Sequence, residues 1–148
     1  MNHELPIRII LESPPAGVDF GVQKGKGNQY ETIQKQRSNN NNDLSFEFKI
    51  SVNESQTSLP NFTGPYVQGP LNERFIYIDI GTCAGQIDSV WSRRLKIPLR
   101  DISSDTIKLL LTDSSFILET KVPGTGKDGG PNCATVKPFF GWHLIPGL

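Results

Sequence analysis

Apolar and polar residues alternate with a period of two over much of this chain, the spacing of strands that bury one face. The cleanest case is Leu44 to Val52. Leu44, Phe46, Phe48, Ile50 and Val52 fall on one side, and Ser45, Glu47, Lys49 and Ser51 on the other. Leu5 to Glu12 alternates too, with Leu5, Ile7, Ile9 and Leu11 opposite Pro6, Arg8, Ile10 and Glu12. Pro6 has no N–H to give to a ladder, which predicts an edge strand or a strand start. Ser13-Pro14-Pro15-Ala16-Gly17 predicts a turn, and Val18, Phe20 and Val22 beyond it predict a hairpin partner for the first strand. Tyr30 to Gln36 alternates weakly and is predicted as a polar edge strand.

The most β-prone run is Arg74-Phe75-Ile76-Tyr77-Ile78-Asp79-Ile80, closed by Gly81. Phe75, Tyr77 and Asp79 share one face, and Ile76, Ile78 and Ile80 the other. Apolar residues on both faces predict a central strand covered on both sides. After a loop ending at Trp91, Ser92 to Leu99 predicts its neighbour, with Arg93, Leu95, Ile97 and Leu99 on one face and Arg94 and Lys96 towards solvent. Ser115 to Val122 predicts another strand, with Phe116, Leu118 and Val122 together. Cys133 to Ile145 predicts a last extended stretch.

Between these runs, the tract Asn39 to Asn42 cannot bury apolar surface and predicts a mobile loop. Asn53 to Asn72 predicts a long irregular connection, pinned to the body by Phe62, Tyr66 and Val67. Ser103 to Leu111 is the one predicted helix, with Ile107, Leu110 and Leu111 at the spacing of a buried stripe. Together these elements predict a single all-β domain over residues 1–148. It is an antiparallel sandwich or barrel of seven or eight short strands with one short helix. The alternative is an α+β sheet with the helix on one face.

Composition narrows the picture. The chain holds 14 glycines and 11 prolines, which favours turns and short strands over long helices. Fifteen basic and fifteen acidic residues cancel, so sequence-independent nucleic-acid binding is not expected. No apolar run approaches the length of a membrane span, and the N-terminus has no leader-like pattern. A cytoplasmic protein is therefore expected, with Cys83 and Cys133 as free thiols.

Candidate chemistry centres on Pro123 to Cys133. Gly124, Gly126 and Gly129 permit backbone N–H groups to converge on an anion, with Lys127 and Asp128 among them. It is not a phosphate-binding P-loop, because Lys121 stands where that spacing needs glycine, and Asp128 where it needs Ser or Thr. A plain tight loop between strands is the competing reading. Arg93, on the apolar side of its strand, needs an acceptor. Asp79 is the expected partner if the two apolar faces coincide, and a structural ion pair is then the simpler explanation. Trp91 would supply a stacking wall. Cys133 with His143 makes a weak nucleophile–base pair, since His3 and His143 are the only histidines. No spacing suits a metal, and no motif assigns a cofactor.

Gly17-Val18-Asp19-Phe20-Gly21-Val22-Gln23, Gly64-Pro65-Tyr66-Val67-Gln68-Gly69-Pro70, Arg74 to Gly81, Trp91-Ser92-Arg93-Arg94-Leu95-Lys96 and Pro123 to Val136 are specific stretches that cover nearly the whole chain. In these the chain resembles a bacterial family catalogued as a domain of unknown function. The resemblance implies a bacterial single-domain protein and carries no activity. The resulting expectation is a domain that binds a small anionic ligand or a partner segment. The alternatives are a small enzyme in the same cleft, using Asp79, Asp128 or His143 as acid or base, and a structural or interaction module.

Overall fold

The structure is a computed structural model. It describes residues 2–14, 16–17, 19–26, 29–40, 42–54, 62–63, 66–68, 74–81, 92–99, 106, 109–110, 115–123, 138–139 and 141–146. Among these are the strands β1 (Asn2–Glu12), β2 (Asp19–Lys26), β3 (Gln29–Arg37), β4 (Leu44–Glu54), β5 (Phe62–Thr63), β6 (Val67–Gln68), β7 (Phe75–Gly81), β8 (Ser92–Pro98), β9 (Phe116–Pro123), β10 (Pro138–Phe139) and β11 (His143–Pro146). Eight have four or more residues, and β5, β6 and β10 have two.

Two sheets form. One runs β11-β9-β1-β4-β5, the other β10-β8-β7-β2-β3, with β6 pairing β7 where β2 has ended. The fold is an all-β sandwich. Most pairings are antiparallel, but β1–β9 and β10–β8 are parallel. The apolar faces expected from alternation meet between the sheets. Leu5, Ile7, Ile9, Leu11, Phe46, Phe48, Ile50, Val52, Leu118 and Val122 come from one, and Phe20, Val22, Ile76, Ile78, Ile80, Leu95 and Ile97 from the other, all buried. Burying side chains of this size contributes about 1.5–3 kcal/mol each relative to exposure. Of the predicted helical stretch, Thr106, Leu109 and Leu110 are helical and Leu110 is buried in the core; Ile107 and Leu111 lie outside the described residues.

Several expectations are corrected. β1 and β2 are not a hairpin: the chain crosses from one sheet to the other at residues 13–18, so Phe20 and Val22 face the apolar side of β1 across the core instead of lying beside it. Gly17 has φ +74°, a conformation that strains other residues, and its N–H donates to the Ser38 carbonyl at 3.0 Å. Pro6 is not on an edge strand, since β1 lies between β9 and β4. Its pairing is with Lys49 alone, because the β9 ladder starts one residue later, at Ile7. β7 is central as expected, but its outer face is only half covered: Phe75 and Tyr77 are partly exposed. The connection from Asn53 to Asn72 includes β5 and β6, and Tyr66 and Val67 do pack against the core. Among the described residues the last extended stretch holds two short strands, β10 and β11, one in each sheet.

Hydrogen bonds tie the sheets at both long edges. Gln36 Nε2 donates to the Ser45 carbonyl at 2.7 Å, joining β3 to β4. Trp142 Nε1, just before β11, donates to the Lys96 carbonyl of β8 at 3.1 Å. The two strand orders therefore run in the same sense, with β9 and β11 over β8 and β10.

Candidate functional site

Strand directions decide which residues can meet. β1 ends at the turn that opens with Ser13, and β2 starts there. β9 is parallel to β1, with Glu12 opposite Pro123, so β9 ends at the same end. β7 is antiparallel to β2, with Gly21 opposite Gly81, and β8 is antiparallel to β7, with Gly81 opposite Ser92. Ser92 and Arg93 thus start β8 at the end where Pro123 closes β9, and on the same flank of the sandwich.

The register also separates the expected pair. Arg93 is opposite Ile80, on the face of the buried Leu95 and Ile97; Asp79 is opposite Arg94, on the outer face. The two apolar faces do coincide, but Asp79 is not on them, so its cross-strand neighbour is Arg94 and not Arg93. Trp91, Gly124, Gly126, Lys127, Asp128, Gly129, Cys83 and Cys133 lie outside the described residues. His143 pairs with Glu119 in the five-stranded sheet, and Asp79 belongs to the six-stranded one.

Two polar clusters escape the sequence. The first is a row across the outer face of the five-stranded sheet: Glu47 of β4, Arg8 of β1, Glu119 of β9 and His143 of β11 stand opposite one another in turn. Arg8 Nε donates to Glu47 Oε1 at 2.6 Å, and Nη1 to Glu119 Oε2 at 3.1 Å. The Arg8 and Glu119 side chains are only 11% and 12% exposed. Burial works to lower the Arg8 pKa, but hydrogen bonds and charge from both carboxylates raise it above the ordinary value. A guanidinium held by two carboxylates is a structural tie, not a poised catalytic group. Arg8, Glu47 and Glu119 each sit between buried neighbours in their strands, which assigns them to outer faces; only the register shows that they meet.

The second cluster lies at the opposite end of the sandwich from Ser13. Lys24 Nζ is 4.3 Å from the centroid of the Tyr66 ring and 3.9 Å from Glu31, and the Tyr66 hydroxyl donates to Glu31. That hydrogen bond, then burial and the negative charge of Glu31, raise the Tyr66 pKa. The cluster fastens the segment before β6 to the β2–β3 pair. Among the described residues no group of three or more His, Cys, Asp or Glu side chains could hold a metal ion, and no helix is long and apolar enough to cross a membrane.

No curated protein and no solved structure matches the chain. A family profile does match, over residues 5–145, which runs from Leu5 in β1 to Ile145 in β11. By that match the chain belongs to a family of unknown function, DUF5990.

Proposed function

We propose that this β sandwich binds a small anionic ligand at the end where β8 starts and β9 finishes. One observation carries the reading: Ser92-Arg93-Arg94 and Pro123 share that end and that flank. The chain leaving Pro123 enters the stretch of Gly124, Gly126, Lys127, Asp128 and Gly129, whose glycines permit close backbone approach to an anion. Arg93 then supplies a guanidinium from the first turn of the sheet, and Trp91 a wall beside it. By register Asp79 of β7 stands opposite Arg94 in the adjoining row.

Inorganic phosphate or sulfate is the direct probe. Titration is expected to move the Gly126 and Gly129 amide resonances, and added salt to weaken the effect. Lys127→Ala and Arg93→Ala are each expected to weaken binding several-fold. Amide shifts that phosphate leaves unmoved would overturn the reading.

A further inference from the structure

A strand at the edge of a sheet offers its unpaired backbone groups to another chain. Four such edges stand side by side for comparison among the described residues. β10 has two residues, and β11 has four and ends in Pro146. β3 is longer, but its pairing with β2 shifts register, and Lys35 and Arg37 are exposed along it. β4 differs from all three. It pairs β1 from Leu44 to Asn53 without a shift, and β5 covers its other edge only at Asn53 and Glu54. From Leu44 to Val52 that other edge meets no strand among the described residues. The Ser45 carbonyl faces away from β1, where it accepts Gln36 Nε2. Alternate residues of an antiparallel strand turn N–H and C=O to the same side, so Glu47, Lys49 and Ser51 turn theirs outwards as well. Ser45, Glu47, Lys49 and Ser51 are all exposed.

We propose that β4 pairs antiparallel with β4 of a second copy of this chain, about a two-fold axis at Phe48. The strand fits its own reverse. Leu44-Ser45-Phe46-Glu47-Phe48-Lys49-Ile50-Ser51-Val52 sets Leu44 against Val52, Ser45 against Ser51, Phe46 against Ile50 and Glu47 against Lys49 of the second copy. The one acid of the stretch thus meets its one base, twice over. The pairs that exchange N–H···O bonds are Ser45 with Ser51 and Glu47 with Lys49, the residues whose backbone groups face out. The Ser45 carbonyl has a second lone pair beside the one that takes Gln36. Arg8 Nε takes Oε1 of Glu47, whose side chain is 56% exposed, so Oε2 is left to meet the ammonium. Charge also selects the register. An axis at Glu47 or at Lys49 would set like charges directly opposite, which destabilises a ladder. The length of the free edge fits too. The Asn42 N–H bonds to the Asn39 carbonyl and the Asp43 carboxylate to the Ser13 N–H, so the chain turns aside just before Leu44. The strand of the second copy therefore stops opposite Val52, one residue short of β5. A formal net charge of zero adds no long-range repulsion between copies. Because the same patch serves both copies, the contact closes at two.

Sedimentation equilibrium of the full chain at rising concentration is the first test, and a monomer–dimer equilibrium is expected. Lys49→Glu changes an exposed side chain and leaves the tie between Glu47 and Arg8 in place. It sets like charges opposite at both symmetric pairs, and is expected to weaken self-association about tenfold or more. An equimolar mixture of Lys49→Glu and Glu47→Lys chains has opposite charges at both pairs again, and is expected to recover the dimer. The unaltered protein gives an independent reading. Within one strand Phe46 and Ile50 are roughly 14 Å apart, beyond the reach of a nuclear Overhauser contact. In a mixture of labelled and unlabelled chains, a contact between their α-protons is expected across the two copies. A chain that stays monomeric overturns the inference. So does a dimer that lacks the Phe46–Ile50 contact or that Lys49→Glu leaves unweakened, since it then forms through another surface. Growth beyond two copies overturns it as well.

Discussion

Arg8 lies on the outer face of β1, yet its side chain is 11% exposed. Removing a guanidinium from water is costly unless its charge is met, and two carboxylates meet it. They do so unequally. Glu119 is 12% exposed and Glu47 is 56% exposed. A largely buried partner leaves an uncompensated charge when it is lost, whereas a solvated one is replaced by water. Glu119→Ala is therefore expected to cost about 3 kcal/mol or more, and Glu47→Ala about 1 kcal/mol or less. Urea denaturation of the two variants measures the difference, and equal losses would contradict the assignment of Glu119 as the buried partner. Alternation in the sequence already set Arg8, Glu47 and Glu119 opposite their apolar neighbours. It could not reveal the triad, because alternation fixes a residue's face and not its cross-strand partner.

β3 shows what alternation hides at the scale of an element. Tyr30 to Gln36 alternates poorly, and the reason is a shift of register between Val22 and Gln23. Gln34 is opposite Val22 and Thr32 opposite Gln23, so Ile33 is the extra residue of a bulge. A bulge exchanges the faces on either side of it, which blurs a period of two. It also disrupts the outer edge of β3, the last strand on that side among the described residues, as do the exposed Lys35 and Arg37, and both features oppose pairing with another chain. Beyond the bulge Glu31 receives the Tyr66 hydroxyl, so the edge strand also anchors the segment before β6. The Tyr66 pKa is raised in the folded chain from an ordinary 10.0. The folded state therefore keeps its proton where the unfolded chain has lost it. That contribution is whole below pH 10.0 and is lost as pH rises through the folded value. Unfolding free energies of the native chain and Tyr66→Phe, compared at rising pH, are expected to converge above pH 10.0. A constant gap would show that the hydroxyl gives no proton-linked stability. The β1–β2 crossing was hidden for a related reason. Ser13-Pro14-Pro15-Ala16-Gly17 specifies a reversal of the chain, but not whether the returning strand lies beside the first or across the core from it.

For the whole molecule, the two apolar faces each predicted separately become one interior, and the strand ends become the candidate site. The central pair β7–β8 was legible because its strands are close in sequence and rich in β-branched residues. The parallel pairing of β1 with β9 was not, since nothing local marks it. Arg8 and Glu119 are 111 residues apart, so the ladder they share closes most of the chain into a loop. Pairings distant in sequence, β1 with β4 and β2 with β7 among them, dominate this sandwich, and such folds form in milliseconds to seconds. The main refolding phase, followed by tryptophan fluorescence, is expected in that range; a microsecond phase would contradict it. The nearer pairs, β2–β3 and β7–β8, close much shorter loops and are expected to form first, with β9 docking on β1 afterwards. Leu118 of β9 is buried opposite Ile7 of β1 by register, and so reports on that docking. Leu118→Ala is then expected to lose about 2–5 kcal/mol, chiefly through faster unfolding, with the folding rate nearly unchanged. If the loss instead slows folding in full, β9 docks in the rate-limiting step, and the long loop closes before the sandwich does.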